Sequence, residues 1–179
     1  AEKNIANSTN MEIFLMPVGG KQTVNITLAN DAWDGTPTFS PDGNYIAYRT
    51  HSIPGYEADR FRISVFNTKT LISEVITEDF DYTTDNITWS ADSKSIYFLA
   101  DYKGYSPVYK VDVESKSIAQ VTDDKVVRGY QISKDGNHIY LNFTAVDKLP
   151  EIYSFDINAS TFSQITFFNK KLAEEVDIR

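Results

Sequence analysis

Short apolar segments alternate with polar turns along almost the whole chain, and one such pattern occurs three times. Its clearest copy is Pro37 to Tyr48, where an apolar strand ends at a serine, turns through Pro-Asp-Gly and leaves on a second strand. Related copies cover 86–98 and 129–141. Each copy predicts a β-hairpin, and in the first copy Pro41 presets φ, Asp42 accepts backbone N–H bonds and Gly43 supplies a positive φ. Ser93 replaces that glycine in the second copy and predicts slight backbone strain there.

A second hairpin pattern follows each of these copies and also precedes the first one. In every case two β-prone segments flank a polar turn, and the second segment closes on a threonine. The closing threonines are spaced by 50, 45 and 44 residues, and they are Thr27, Thr77, Thr122 and Thr166. The full repeat is therefore four short strands in 44 to 50 residues, which is typical of a β-propeller blade.

The repeats predict an all-β fold, a partial β-propeller of about three and a half four-stranded antiparallel blades. We treat residues 1–179 as one partial domain. Its predicted parts are an outer half-blade at 11–27, blades at 33–77, 83–122 and 127–166, and a tail at 167–179.

The blade count and the chain ends carry further expectations. Propellers usually close with four to eight blades, so three and a half blades predict a fragment with an apolar blade face exposed at each end. Such faces predict a homo-oligomer. Residues 1–10 are polar and predict a frayed end, and the tail predicts either a run-out into a further blade or a short helix.

Composition removes several classes of function. The formal net charge is −8 and the pI is about 4.7, so the chain would repel a phosphate backbone, and we expect no nucleic-acid partner. Apolar runs of membrane-spanning length are missing from the sequence, and we expect no membrane partner. Cysteine is absent, and His51 and His138 lie at non-equivalent positions, where we expect partly exposed surface histidines. We therefore predict no metal site and no cofactor.

The sequence also predicts no catalytic residue. The turn serines recur in every blade as Ser40, Ser90 and Ser133, which identifies them as turn formers. A serine nucleophile follows a Gly-x-Ser-x-Gly elbow, and that motif does not occur in the sequence. We expect the chain itself to be inactive.

The turns of a four-stranded blade fall on two opposite rims, and one rim carries nearly all the negative charge. That rim has 13 Asp/Glu and 5 Lys/Arg, whereas the other has 6 and 5. Its windows are 28–36, 50–61, 78–85, 100–106, 123–128 and 144–151. An acidic mouth would attract a cationic ligand such as a peptide amino terminus. The alternative explanation is that these turns are solvated surface of an acidic protein.

The longest connection on the acidic rim is residues 51–60, about twice as long as its counterparts. Long ordered loops in compact domains are often functional. We assign it the candidate substrate-binding residues: Glu57 could anchor an amino group, Tyr56 could line a pocket, and Arg60 could hold Asp59 or Glu57 in place. The alternative is that Glu57 and Arg60 form an ion pair that only orders the loop.

The Ser-Pro-Asp-Gly hairpins resemble the propeller repeats of TolB and of the prolyl oligopeptidase family of serine peptidases. Three further segments are similar to the dipeptidyl peptidase V and acylaminoacyl peptidase branch of that family. They are Ala32-Trp33-Asp34, Ile46-Ala47-Tyr48-Arg49 and Pro54-Gly55-Tyr56-Glu57-Ala58-Asp59-Arg60-Phe61-Arg62. The resemblance covers roughly residues 11–170.

This resemblance implies a propeller that caps an α/β-hydrolase domain with a Ser-Asp-His triad and gates short peptide substrates. The hydrolase portion is not in this sequence, and Glu57 is the position to which the family's amino-group anchor would be carried over. Bacterial relatives of this branch are often exported, which favours a periplasmic or secreted location. The alternative function is a TolB-like module that binds a protein partner without a peptidase domain.

Overall fold

The computed structural model describes residues 8–145 and 148–176, and these residues form fourteen strands and one short helix. The elements are β1 Phe14–Leu15, β2 Val24–Asn25, β3 Asp34–Phe39, β4 Tyr45–Thr50, β5 Arg62–Asn67, β6 Ser73–Val75, β7 Thr84–Trp89, β8 Ser95–Ala100, β9 Val108–Asp112, β10 Ile118–Gln120, β11 Val126–Ile132, β12 His138–Ala145, β13 Lys148–Asp156, β14 Thr161–Gln164 and α1 Lys170–Glu175.

The strands form three four-stranded sheets and one two-stranded sheet, all antiparallel. The sheet orders are β3-β4-β5-β6, β7-β8-β9-β10 and β11-β12-β13-β14, and β1 pairs with β2. Strands that neighbour one another in the sequence also neighbour one another in each sheet, as in a propeller blade. The predicted all-β fold of about three and a half blades is confirmed.

The chain divides into two compact units, residues 1–85 and 86–179. In the first unit, the half-blade of β1 and β2 packs on the β3–β6 blade through a small apolar cluster. Its buried members are Ile13, Ile26, Ile46, Tyr48 and Phe66. Ile46 and Tyr48 lie two residues apart on β4, so this strand turns one face to the cluster.

In the second unit, the two blades share a larger apolar core. Tyr97, Leu99 and Val108 come from the earlier blade, and the later blade contributes Ile139 and Leu141 from β12 among others. The tail forms the helix α1, while residues 177–179 of the predicted tail and residues 1–7 of the predicted frayed end lie outside the described residues.

The repeated Ser-x-Asp turn has the same hydrogen bonds in all three blades. In the first, the Ser40 hydroxyl donates to Asp42 over 2.6 Å and accepts the Tyr45 N–H over 3.0 Å. The position after the aspartate has a positive φ in every copy, including Ser93 at 62°. In the third copy, the serine hydroxyl is the main cause that lowers the pKa of Asp135 to about 2.

The four closing threonines share one hydrogen bond, which is buried in the first three copies and partly buried at Thr166. The side-chain oxygen of each accepts the backbone N–H of the residue fourteen positions earlier, with N···O distances of 2.8 to 3.0 Å. The four pairs are Thr27 with Ile13, Thr77 with Ile63, Thr122 with Val108 and Thr166 with Ile152. The residue before each threonine also donates its N–H to the carbonyl of that same partner. We call this arrangement the threonine latch.

The latch predicts a specific stability difference at Thr122. Thr122→Val keeps the shape of the side chain but leaves the Val108 N–H without its acceptor at a fully buried position. We expect a loss of about 1–3 kcal/mol in the free energy of unfolding, whereas Thr122→Ser, which keeps the hydroxyl, loses less. Urea unfolding of the three proteins checks this. Equal stabilities of the valine and serine variants would show that the bond contributes nothing.

Candidate functional site

The candidate site is the rim loop, residues 51–60, which joins β4 to β5. Two tight turns shape it, because the Tyr56 N–H donates to the Ile53 carbonyl and the Asp59 N–H donates to the Tyr56 carbonyl. Gly55 lies between them with φ at 76°, a conformation that suits glycine. The loop is therefore a folded segment with its own internal hydrogen bonds.

Asp59 is the buried anchor of the rim loop. Its carboxylate accepts the N–H groups of Ser52 over 2.7 Å and Ile53 over 3.1 Å, and Arg62 reaches it over 3.2 Å. Burial alone would raise the pKa of Asp59, but these donors outweigh burial and hold the pKa below its ordinary value. Asp59 thus ties the two ends of the loop together as an ionised group.

Arg60 has a different partner from the one that the sequence predicted. Arg62 holds Asp59, whereas Arg60 donates to the backbone carbonyls of Glu78 and Phe80 and lies 3.6 Å from the Glu78 carboxylate. The reason is position: Arg62 begins β5 and is buried beside Asp59, while Arg60 faces the connection that leaves β6. Arg60 therefore fastens the rim loop to residues 78–80.

Tyr56 and Glu57 belong to the exposed part of the rim loop, which is residues 52–58. Tyr56 is about half exposed, Glu57 is exposed beside it, and Asp59 two residues later is buried. The structure thus places all four predicted residues on one loop, with Asp59 and Arg60 holding it and Tyr56 and Glu57 turned to solvent.

The prediction that His51 is a partly exposed surface residue is wrong. His51 is 5% exposed, and its ring packs on Phe61 with centroids 4.0 Å apart and near Trp33 at 5.9 Å. Phe61, the residue directly before β5, explains the burial, because its ring covers the His51 ring directly after β4. Gly35 makes room for this cluster, because a Cβ there would lie 2.5 Å from the Trp33 ring.

Asn30 and Asp34 belong to the same region and were not predicted. The Asn30 amide donates to both carboxylate oxygens of Asp34 over 3.1 Å and to the His51 carbonyl over 3.0 Å. Burial raises the pKa of Asp34, and the hydrogen bonds that the carboxylate accepts lower it only in part. The sequence signal was an Asn and an Asp at the two ends of one blade connection, which is also common in ordinary turns.

A cavity of about 400 Å³ in the first unit reaches the base of the rim loop. Polar and apolar side chains both line it, and the polar ones include Asn30, Asp34, Thr50, Ser52 and Ser64. The described lining residues contribute no lysine or arginine. This chemistry suits a ligand that donates hydrogen bonds.

Within residues 8–145 and 148–176, His, Asp and Glu side chains do not gather in threes in a way that could hold a metal ion. The single described helix is also too short to cross a membrane.

Known proteins with similar sequences are dipeptidyl peptidases. The chain is 31% identical over 152 residues to dipeptidyl-peptidase 5 of Porphyromonas gingivalis, which covers 84% of this chain and 20% of the relative. It is 30% identical over 174 residues to dipeptidyl-peptidase 5 of Porphyromonas endodontalis, covering 96% and 25%. The chain thus spans about a fifth to a quarter of these relatives. It matches no protein-family model.

Solved structures with a similar fold include three propeller proteins. Acylaminoacyl peptidase of Pyrococcus horikoshii has a TM-score of 0.71 at 15% identity, over 94% of this chain and 24% of that one. TolB from Acinetobacter baumannii has a TM-score of 0.68 at 21% identity, over 90% and 39%. The β-propeller domain of the trilobed protease from Pyrococcus furiosus has 0.66 at 14%, over 88% and 46%.

The sequence relatives and the structures agree with the resemblance drawn from the repeats. At these identities the structures establish the fold alone, and the dipeptidyl peptidases supply the relationship in sequence. The chain is a β-propeller segment of the kind found in serine peptidases of the prolyl oligopeptidase family, with dipeptidyl-peptidase 5 among its relatives.

Proposed function

We propose that this propeller segment gates and positions short peptides for the α/β-hydrolase domain of a serine exopeptidase. The relatives named dipeptidyl-peptidase 5 support a peptidase as the setting. The observation that carries the positioning role is the rim loop, in which buried charges order the backbone and an acid and an aromatic residue stand exposed.

Glu57 is the proposed anchor for the substrate amino group. An ammonium group and a carboxylate form a charge-assisted hydrogen bond, which is about twice as strong as a neutral one. Tyr56 offers an amphipathic ring beside it, suited to a peptide whose first side chain is apolar. Asp59 and Arg60 serve this site indirectly, by fixing the loop that carries both residues.

The net negative charge of the rim supports the same assignment. Glu78, Asp79 and Asp81 follow β6 in the connection to which Arg60 fastens the rim loop. A rim of this charge raises the local concentration of cationic ligands at low ionic strength. Peptides with a free amino terminus are such ligands, and in this proposal the hydrolase domain carries out the bond cleavage.

A second candidate function is a TolB-like interaction module, and the half-blade favours it. Phe14 and Met16 are each 57% exposed, and the edge of β1 opposite β2 has no strand beside it among the described residues. In the three full blades, the corresponding third strand pairs with a second strand. An open edge with exposed apolar side chains is suited to pairing with another chain.

The peptidase proposal predicts a selective kinetic defect in the complete protein that carries this segment. Glu57→Gln should lower kcat/KM about tenfold or more for dipeptidyl substrates with a free amino terminus, because one charge-assisted bond of about 1.5–3 kcal/mol is lost. Substrates with an acetylated amino terminus should be unaffected, and so should the melting temperature.

Glu114→Gln is the matched control, because Glu114 is an exposed acid in a turn of the second unit, outside the rim loop. Equal loss on free and acetylated substrates would contradict the anchoring role of Glu57. Absence of any peptidase activity in the complete wild-type protein would contradict the peptidase setting itself.

The open half-blade predicts self-association of the chain through its apolar surface. We expect sedimentation velocity at high concentration to show dimers or larger species, and Phe14→Glu to shift the protein to monomer by placing a charge in the contact. Lys69→Glu, in an exposed turn of the β3–β6 blade, is the control. A wild-type chain that stays monomeric would exclude this contact.

A further inference from the structure

His51 is held in a closed aromatic site at the start of the rim loop. Its ring contacts Phe61 at 4.0 Å and lies 5.9 Å from Trp33, and only 5% of the residue is exposed. Its backbone is fixed at both ends, since its N–H donates to the Trp33 carbonyl over 2.8 Å and its carbonyl accepts from Asn30. The ring is therefore packed and its backbone bonded directly before Ser52, where the rim loop leaves β4.

Two arginines already occupy the surroundings of His51, and Arg62 is buried while Arg49 is partly buried. Arg49, on β4, places its guanidinium 3.9 Å from the centre of the same Phe61 ring, and Arg62 comes from β5. Their acidic partners are engaged: Asp85 lies 2.8 Å from Arg49, and Asp59 and Glu78 pair with Arg62. A proton on His51 would add a third cation beside carboxylates that are in use.

The ring nitrogens give a second reason why protonation of His51 is unfavourable in the closed loop. Nε2 of His51 is buried and has no hydrogen-bond partner among the described residues. A neutral imidazole can leave one nitrogen without a hydrogen, whereas the imidazolium carries N–H groups on both. Protonation in the closed site therefore creates a buried donor with no acceptor, which costs free energy.

We propose that His51 is a pH-sensitive latch of the rim loop: the neutral ring keeps the loop closed, and protonation at acidic pH releases it. This inference concerns the loop itself and does not depend on the peptidase function. It makes the exposed Tyr56–Glu57 segment ordered at neutral pH and mobile at acidic pH.

The direction of the effect follows from linkage. Burial lowers the pKa of His51 in the closed loop, Asp59 opposes this, and Arg49 and Arg62 lower it further. In the open loop, the ring is in water and titrates near 6.5. Protons thus bind the open form more tightly, so opening increases as the pH falls below 6.5 until the closed form is also protonated. Asp59 stays ionised in this range, because its pKa is lowered.

Amide hydrogen exchange of the full chain tests the proposed His51 latch. The reporters are the N–H groups of Ser52 and Ile53, which donate to Asp59. After correction for the intrinsic exchange rate, we expect their protection to fall between pH 7.5 and pH 5, by up to about thirtyfold for an open-form pKa of 6.5. The Val108 N–H, bound in the threonine latch of the second unit, should keep its protection.

Two variants distinguish loop opening caused by protonation of His51 from a general effect of acid on the protein. His51→Phe retains an aromatic ring that cannot be protonated, and its loop protection should not change over this range. His138→Phe, at the half-exposed histidine 3.7 Å from Asp156, should respond like the wild type. If His51→Phe fails to fold, Arg49→Met gives the second test, because removal of that cation should shrink the response.

The proposal fails if the wild-type loop keeps its protection down to pH 5, or if His51→Phe loses protection as the wild type does. A histidine NMR titration that finds His51 protonated near pH 6.5 while Ser52 and Ile53 remain protected would overturn it as well.

Discussion

The buried hydrogen bond between a closing threonine and the strand before it is the constraint on which every repeat depends. It joins the end of the fourth strand to the start of the third, so the outer hairpin of each blade closes in one register. A one-residue slip in that register would turn the apolar face of the hairpin outward. Because the bond spans fourteen residues in all four copies, the length of this hairpin is constant, and the differences between the repeats of 44 to 50 residues fall in the other connections.

Because the hairpins are fixed in this way, the connections between them can differ in sequence and can hold functional residues. The rim loop is ordered by charged groups: Asp59 binds both ends of the loop, and Arg60 and Arg62 connect it to Glu78. The cost of burying these charges is offset because each carboxylate and guanidinium has several partners. Tyr56 and Glu57 need no partner within the loop, so they can face a ligand.

The repeats made the fold predictable, whereas the partners of individual side chains were not. Strand alternation and the spacing of turn residues are local signals, and they predicted the blades and the loop that carries Glu57. The exchange of roles between Arg60 and Arg62, and the burial of His51, depend on which residues meet across the two ends of a loop. Phe61 opposite His51 was a usable signal, because the hairpin pairing of β4 and β5 places them side by side. The Asn30–Asp34 pair gave no signal distinct from a turn.

The central claim is that the ordered rim loop presents Glu57 to a peptide amino terminus. The most direct measurement is carboxyl-carbon NMR of the chain, labelled at the glutamate side chains and titrated at pH 7 with a dipeptide amide. The account predicts that the Glu57 signal shifts with the free-amino dipeptide and remains in place with its acetylated form, while Glu114 is unaffected by either. A Glu57 signal that does not move, or that moves equally with both peptides, would contradict it.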